Sequence, residues 1–349
     1  MLFRTFEECA DHLEGLGGLV RTCFLCGERE PVVRLTAEHV FPQWLLKHFG
    51  IRETHLTLLN GTEIKYNQLL VPCCTVCNRH HLGQLERNIR DAFFRGYKSF
   101  AKLDEWSLYL WLVKILVAIL IKEAQLPIDR REQLGTRIVE PAQLRQLDFL
   151  HMLLQITRRN TFYHGRPPGS VFIFPCLQPA ERTLRFDFID NPRLQLITLY
   201  LGRICIVASL MDRRALADIH PHYWSPYQSF PIHPIQYREI AAHFIYKRHL
   251  LRDMPGHTLI SSPTKETVHI VAHPLSGEFT RQAFEDWDTR EYHSILHQLI
   301  GFPLEKLEIP DGQHVTWLRN ADGKPLQLNF QEFPAMTFPH DQWEDDPRK

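Results

Sequence analysis

The chain has 349 residues, 44% apolar and 23% charged, with a formal net charge of zero. That length accommodates two domains and a real core, and the charge content excludes a disordered polyelectrolyte. Zero net charge excludes global attraction to polyanions, so any nucleic-acid contact must come from a local patch.

The N-terminus, Met1 to Glu8, lacks the pattern of a secretory signal, and a reducing cytoplasmic location is expected. Two C-x-x-C pairs follow, Cys23/Cys26 and Cys74/Cys77. Five of the eight cysteines lie within residues 23–77, a clustering that suits metal thiolates better than a disulfide framework. Between the pairs, Thr36 to Pro42 (TAEHVFP) reads as a strand stopped by Pro42. Residues 51–70 read as a hairpin turning at Asn60-Gly61, whose residues accept the positive φ of a tight turn, with Asn67 on the return strand. Residues 78–94 read as a helix with Asn78 at its cap. The run Leu108 to Ile121 has 14 residues and contains Lys114. A membrane span needs about 20 apolar residues, so a buried helix and no membrane partner are expected.

Residues 104–160 read as helical with a break near Pro127. Residues 170–211 are β-rich, with a turn at Leu201-Gly202-Arg203. A helix is expected over Ile235–Leu251, a strand over Thr267–Val271 and a hairpin of 314–318 with 325–330 around Asn320 to Gly323. The last residues, 341–349, read as a frayed tail. The expectation is an α+β fold in two parts: residues 1–100 around the cysteines, and an accessory α+β domain over 101–349, helical in 104–160, β-rich in 170–211 and mixed in 212–340.

Cys23, Cys26, Cys74 and Cys77 supply four thiolates, the ligand set of a closed tetrahedral zinc site. Cys73 is the alternative to Cys74, but would make the rarer C-x-x-x-C spacing. Cys9, Cys176 and Cys205 show no partner pattern and read as core residues. A structural Zn2+ here would staple the segment before Glu38-His39 to the helix starting at Asn78, holding their polar groups together. Glu38 is a hard oxygen ligand suited to Mg2+, and His39 can titrate near neutral pH as a general base. Asn67 could orient the imidazole. Asn78 and His81 are three apart, on one helix face.

The ordered set Cys23-x-x-Cys26, Glu38-His39-x-x-Pro42, Asn67 and Cys74-x-x-Cys77-Asn78 resembles the zinc-stapled branch of the HNH endonucleases, the ββα-metal or His-Me finger family. Thr36 to Leu46 with Cys77-Asn78 and Leu85-Glu86 resembles bacterial HNH proteins in particular. The resemblance covers about residues 20–90. It implies that Glu38 and Asn78 hold one catalytic Mg2+ or Mn2+, that His39 activates the attacking water, and that Asn67 positions His39. Glu38 stands where the family more usually has Asp, and Asn60 is the alternative to Asn67. His81 reads equally as a further metal ligand or as a surface residue.

The helix after Cys77 carries Arg79, Arg87 and Arg90, with Arg95 and Lys98 beyond, and reads either as a phosphate-tracking face or as a solvated surface. The implied function is metal-dependent endonuclease action on nucleic acid, DNA by resemblance, in the manner of defence or mobile-element enzymes. The alternative is a zinc-stapled nucleic-acid-binding or protein-interaction module without hydrolytic activity. Residues 101–349 are left open to a protein partner or an activating ligand.

Overall fold

The computed structural model describes residues 5–17, 21–129, 131–132, 134–219, 221–252, 256–261, 267–273, 283–307, 315–336 and 338. His220, His314 and the expected tail 341–349 lie outside these. The fold is α+β. In chain order the strands of the first half are β1 (Leu35–His39), β2 (His55–Thr57), β3 (Glu63–Lys65), β4 (Leu70–Cys74) and β5 (Thr161–His164). Those of the second half are β6 (Ser170–Pro175), β7 (Phe186–Asn191), β8 (Leu196–Leu201), β9 (Ile204–Ser209), β10 (His257–Ser261) and β11 (Val268–Ala272). The helices are α1 (Phe6–Leu16), α2 (Gln43–Phe49), α3 (Gly83–Phe94), α4 (Tyr97–Phe100), α5 (Glu105–Gln125) and α6 (Asp148–Leu154). They continue as α7 (Ala215–Ile219), α8 (Pro221–Trp224), α9 (Pro234–Leu250) and α10 (Thr289–Ile300).

The chain forms two compact units: Met1–Pro167 with Pro255–Pro274, and Pro168–Met254 with Leu275–Lys349. The expected boundary at residue 100 is therefore displaced. The physical reason is α5, apolar on every side, whose residues from Leu108 to Ile121 are all buried. A helix of that kind must be enclosed. It packs against α1, α3, α6 and β4, so it is the core of the first unit and not the start of an accessory one. Its start is fixed by Asp104, which accepts from Ser107 N at 2.8 Å. No helix among the described residues is long and apolar enough to cross a membrane.

In the first unit β1 pairs antiparallel with β4, from Leu35 opposite Cys74 to His39 opposite Leu70. The chain turns directly from β4 into a helix, whose segment Cys77–Leu82 has the wide π geometry before α3. Strand, strand and helix thus succeed one another around the cysteines. β2 and β3 form the Asn-Gly hairpin, with Gly61 at φ +75°. The return strand stops early: Tyr66–Gln68 is a 3₁₀ turn, so Asn67 lies on no strand. The sheet β10-β11-β5 also belongs here. β11 runs antiparallel to β10 and parallel to β5.

The second unit holds the antiparallel sheet β6-β9-β8-β7 with α9 packed on β8 and β9. The expected turn at Gly202 is present, at φ +66°. Cys176 and Cys205 are joined by a disulfide, against their reading as unpaired core residues. Cys205 lies opposite Phe174 in the β6–β9 ladder, and Cys176 is two residues further on, which brings the two sulfurs together. Around Asn320 the expected hairpin is reduced to a turn with one bridge, Arg319 to Pro325. Asn320 Oδ1 accepts from Asp322 N and Lys324 N and closes the turn locally.

Candidate metal centre and adjoining polar site

The Sγ atoms of Cys23, Cys26, Cys74 and Cys77 all lie within 4.8 Å of one another, and all four residues are buried. Four ligands at a Zn–S distance of about 2.3 Å stand about 3.8 Å apart in a tetrahedron. Cys26 and Cys74 are 3.8 Å apart. The group could hold a structural metal ion such as zinc, and it uses Cys74. Cys73 stays outside it, 4.0 Å from Cys23. The left-handed Gly27, φ +76°, lets its N–H bond back to Cys23 O at 2.8 Å. Cys77 N approaches Cys74 Sγ at 3.4 Å. The first knuckle is also braced from outside: His151 bonds Phe24 O at 2.7 Å and Gln155 donates to Leu25 O at 2.8 Å. Hydrogen bonds from Cys26, Cys73 and Cys77 lower the Cys23 thiol well below its usual range, while the hydrogen bond to Cys23 pushes Cys26 up to about 12 and raises Cys77 as well. Only a bound cation would let all four ionise together at this spacing.

At the far end of β1 the structure places a buried ion cluster that the sequence reading missed. Lys114 is fully buried at the middle of α5. Its ammonium lies 2.6 Å from Glu38 Oε1 and 3.0 Å from Glu86 Oε1, and donates to the carbonyls of His39 and Val40. Burial alone would lower the Lys114 pKa, but Glu38 and Glu86 outweigh it and hold the ammonium charged. Burial raises the Glu86 carboxyl, against the pull of Lys114. The signal for this was a single lysine inside an apolar run, which burial obliges to find anionic partners.

His39 is half-buried at the end of β1, and its Nε2 meets the side-chain amide nitrogen of Gln43, four residues on in the first turn of α2. An amide has a donor end and an acceptor end related by a half-turn, so this contact sets the tautomer. With the N–H end toward the ring, the ring proton sits on Nδ1. With the carbonyl toward the ring, it sits on Nε2 and Nδ1 is a free base. Burial first, then Lys114 and Arg52, lower the His39 pKa against an opposing pull from Glu86, so the ring is neutral at neutral pH.

Asn67 does not hold His39. Its Nδ2 donates to Glu53 at 2.7 Å, and its buried Oδ1 accepts no hydrogen bond. Asn60 is no substitute, since its Oδ1 accepts from Thr62 N in the hairpin turn. Gln43 takes the place expected of Asn67. Asn78 is not a helix cap: its Nδ2 donates to Thr36 Oγ1 at 3.0 Å, strapping the helix to β1. Among the described residues, Glu38 Oε2 and Asn78 Oδ1 make no hydrogen bond, which leaves one anionic and one neutral oxygen of the hard type a Mg2+ ion takes. His81 does not share the face of Asn78. The i→i+5 bonding of the π segment widens the turn, and His81 instead hydrogen-bonds the backbone of Thr157. Arg79 and Arg87 are exposed, Arg87 bonding Gln84 at 2.8 Å, whereas Arg90 is paired with Asp91 at 2.8 Å and offers less free charge.

The chain matches no protein-family model, no curated protein and no solved structure.

Proposed function

We propose that the first unit is a metal-dependent endonuclease of the HNH type, hydrolysing phosphodiester bonds in nucleic acid, with DNA as the preferred substrate. The observation that carries this reading is the half-buried imidazole of His39, its Nε2 against the Gln43 side-chain amide at the end of β1, beside Glu38 and next to the four-cysteine group. In this reading the Gln43 amide is turned by half a revolution from its orientation in the structure, so that its carbonyl accepts from Nε2–H and His39 Nδ1 takes the proton from the attacking water. Glu38 Oε2 and Asn78 Oδ1 would hold the divalent ion, Mg2+ or Mn2+, and Lys114 fixes Glu38 through its other oxygen. The chemistry such an ion would supply is neutralisation of charge on the phosphate and on the departing oxygen. Arg79 and Arg87 supply exposed positive charge for the backbone of the substrate, with a smaller part for Arg90. The second unit is then the seat of a partner or an activating ligand, as in defence or mobile-element effectors. We place the protein in the cytoplasm on its six cysteines outside the disulfide; the Cys176–Cys205 bond is buried away from reductant.

A specific observation favours a second reading. Lys114 already neutralises Glu38, as it would in a zinc-stapled binding module with no hydrolytic role. Plasmid and single-stranded oligonucleotides incubated with Mg2+ or Mn2+, against EDTA, separate the two. Cleavage that requires metal and disappears in His39→Ala supports the nuclease. Retention of nucleic acid without cleavage under any of these conditions supports the module.

A further inference from the structure

The second half of the chain is rich in histidines, and one of them, His269, meets His164 in the first unit. On the β10-β11-β5 sheet, β11 pairs in parallel with β5 so that His269 lies opposite Phe162 and Val271 opposite His164. The inner face carries Val268 and Ile270, both fully buried, and Tyr163 packed on Trp106. The outer face therefore carries Phe162, His164, His269 and Val271. There His164 Nε2 lies 2.9 Å from His269 Nδ1, across the diagonal between the strands. The two rings are nearly parallel, and Phe162 also lies nearly parallel to His269, with ring centroids 5.2 Å apart at 18°. His164 and Phe162 are exposed.

We propose that His164 and His269 form an open two-nitrogen site for a divalent late transition-metal ion, Cu2+ in preference to Zn2+. Two nitrogens bound at about 2.0–2.1 Å and separated by 2.9 Å subtend about 90° at the ion, the angle of square-planar and tetragonal coordination. A tetrahedral ion at the same bond length needs them about 3.4 Å apart. In the metal-free pair the two nitrogens share one proton. On binding, that proton leaves the shared edge for the outer nitrogen of its own ring, so each imidazole stays neutral with one N–H and no net proton is released. Each ring tilts away from the line joining the two nitrogens, so that both lone pairs converge on an ion beside that line and the 2.9 Å separation is kept. The remaining coordination positions face solvent and are open to water or to a donor group on a bound molecule. The site is remote in kind from the cysteine group, which offers four soft thiolates and no open position.

The test uses the full chain without a polyhistidine tag, loaded with one equivalent of zinc and titrated with Cu2+, followed by calorimetry and electron paramagnetic resonance. One Cu2+ with coupling to two imidazole nitrogens is expected, without loss of zinc. His164→Gln and His269→Gln should each weaken binding by roughly tenfold or more and remove the two-nitrogen signature. His273→Gln, at an exposed histidine just beyond β11 that bonds Thr258, should leave both unchanged. Equal Cu2+ binding in wild type and both single variants, or a sulfur-ligated signal that displaces zinc, would overturn the assignment. Unchanged melting temperatures in the three variants establish that altered binding is not altered folding.

Discussion

At the scale of single residues, His39 and Gln43 are separable by what each substitution permits. His39→Ala should lower cleavage by roughly 10²–10⁴-fold while nucleic-acid binding, measured by fluorescence anisotropy, is nearly intact. Gln43 tests the tautomer. Glu at this position can only accept from Nε2–H and keeps Nδ1 free; Lys can only donate and forces the proton onto Nδ1. Gln43→Glu should therefore retain cleavage within about tenfold, and Gln43→Lys should lose about 10²-fold or more, in the same plasmid assay. Equal activity in both would remove Nδ1 as the base. Lys114 is of a different kind, because its ammonium is fully buried among two carboxylates and two carbonyls. Lys114→Met should destabilise the first unit by about 3–5 kcal/mol by leaving Glu38 and Glu86 facing one another, and Lys114→Met with Glu86→Gln should recover part of it in chemical denaturation. Glu38→Ala will show the same instability in addition to any loss of metal, so it is a poor probe of metal binding alone.

At the scale of the element, α9 carries two groups whose titrations oppose one another. His233 caps the helix: its Nδ1 accepts from Ile235 N at 3.2 Å and its Nε2 donates to Phe333 O at 3.0 Å. Burial lowers its pKa from 6.5 to about 4. A depressed folded pKa means that its contribution is complete above 6.5 and is lost as pH falls toward 4. Glu239 accepts from the Thr316 hydroxyl and from Trp317 N, and burial raises its pKa from 4.5 to about 7. A raised folded pKa means that its contribution is complete below 4.5 and is lost as pH rises to 7. The slopes cancel over the shared window and reappear in variants. Relative to wild type, Glu239→Gln should gain stability as pH rises from 4.5 to 7, and His233→Asn should gain as pH falls from 6.5 to 4. Thermal melts across that range, read at near-ultraviolet wavelengths, would show either difference failing to change with pH. Other elements differ in how far the sequence exposed them. The hairpin at Asn60-Gly61 and the ladder β6 to β9 were legible because turn residues and runs of β-branched and aromatic residues are local signals. The pairing of β5 with β11 was not, because a parallel ladder between residues about 100 apart leaves no mark in either segment. Likewise the cysteine spacing announced the four-thiol group, whereas Gln43 lay hidden beyond Pro42, and the partners of Lys114 were set only by packing α5 against β1 and α3.

For the whole molecule, the cysteine group should act on one unit and spare the other. Elemental analysis should find about one zinc per chain. Removing it with a strong chelator, or substituting Cys26→Ser or Cys77→Ser, should raise amide hydrogen exchange across residues 21–94, since binding free energy of a structural site is also folding free energy. Exchange in α9 and in the β6-β9-β8-β7 sheet should be unchanged. Metal-free protein with full protection of β1 and β4 would refute a structural metal.

The chain leaves the first unit after Pro167 and returns to it for Pro255–Pro274. On the ribosome this orders assembly in time. The four cysteines are all available once Cys77 has emerged, so the clamp can close early. Strand β5, by contrast, must wait for β11, roughly 100 residues later, which at cellular rates is about 5–20 s. Through that interval its ladder groups have no partner strand, while the whole of β6 to β9 is synthesised in between. The His164–His269 pair, which needs both strands, is thus among the last features of the first unit to exist, and a fragment ending at Pro167 would never acquire it.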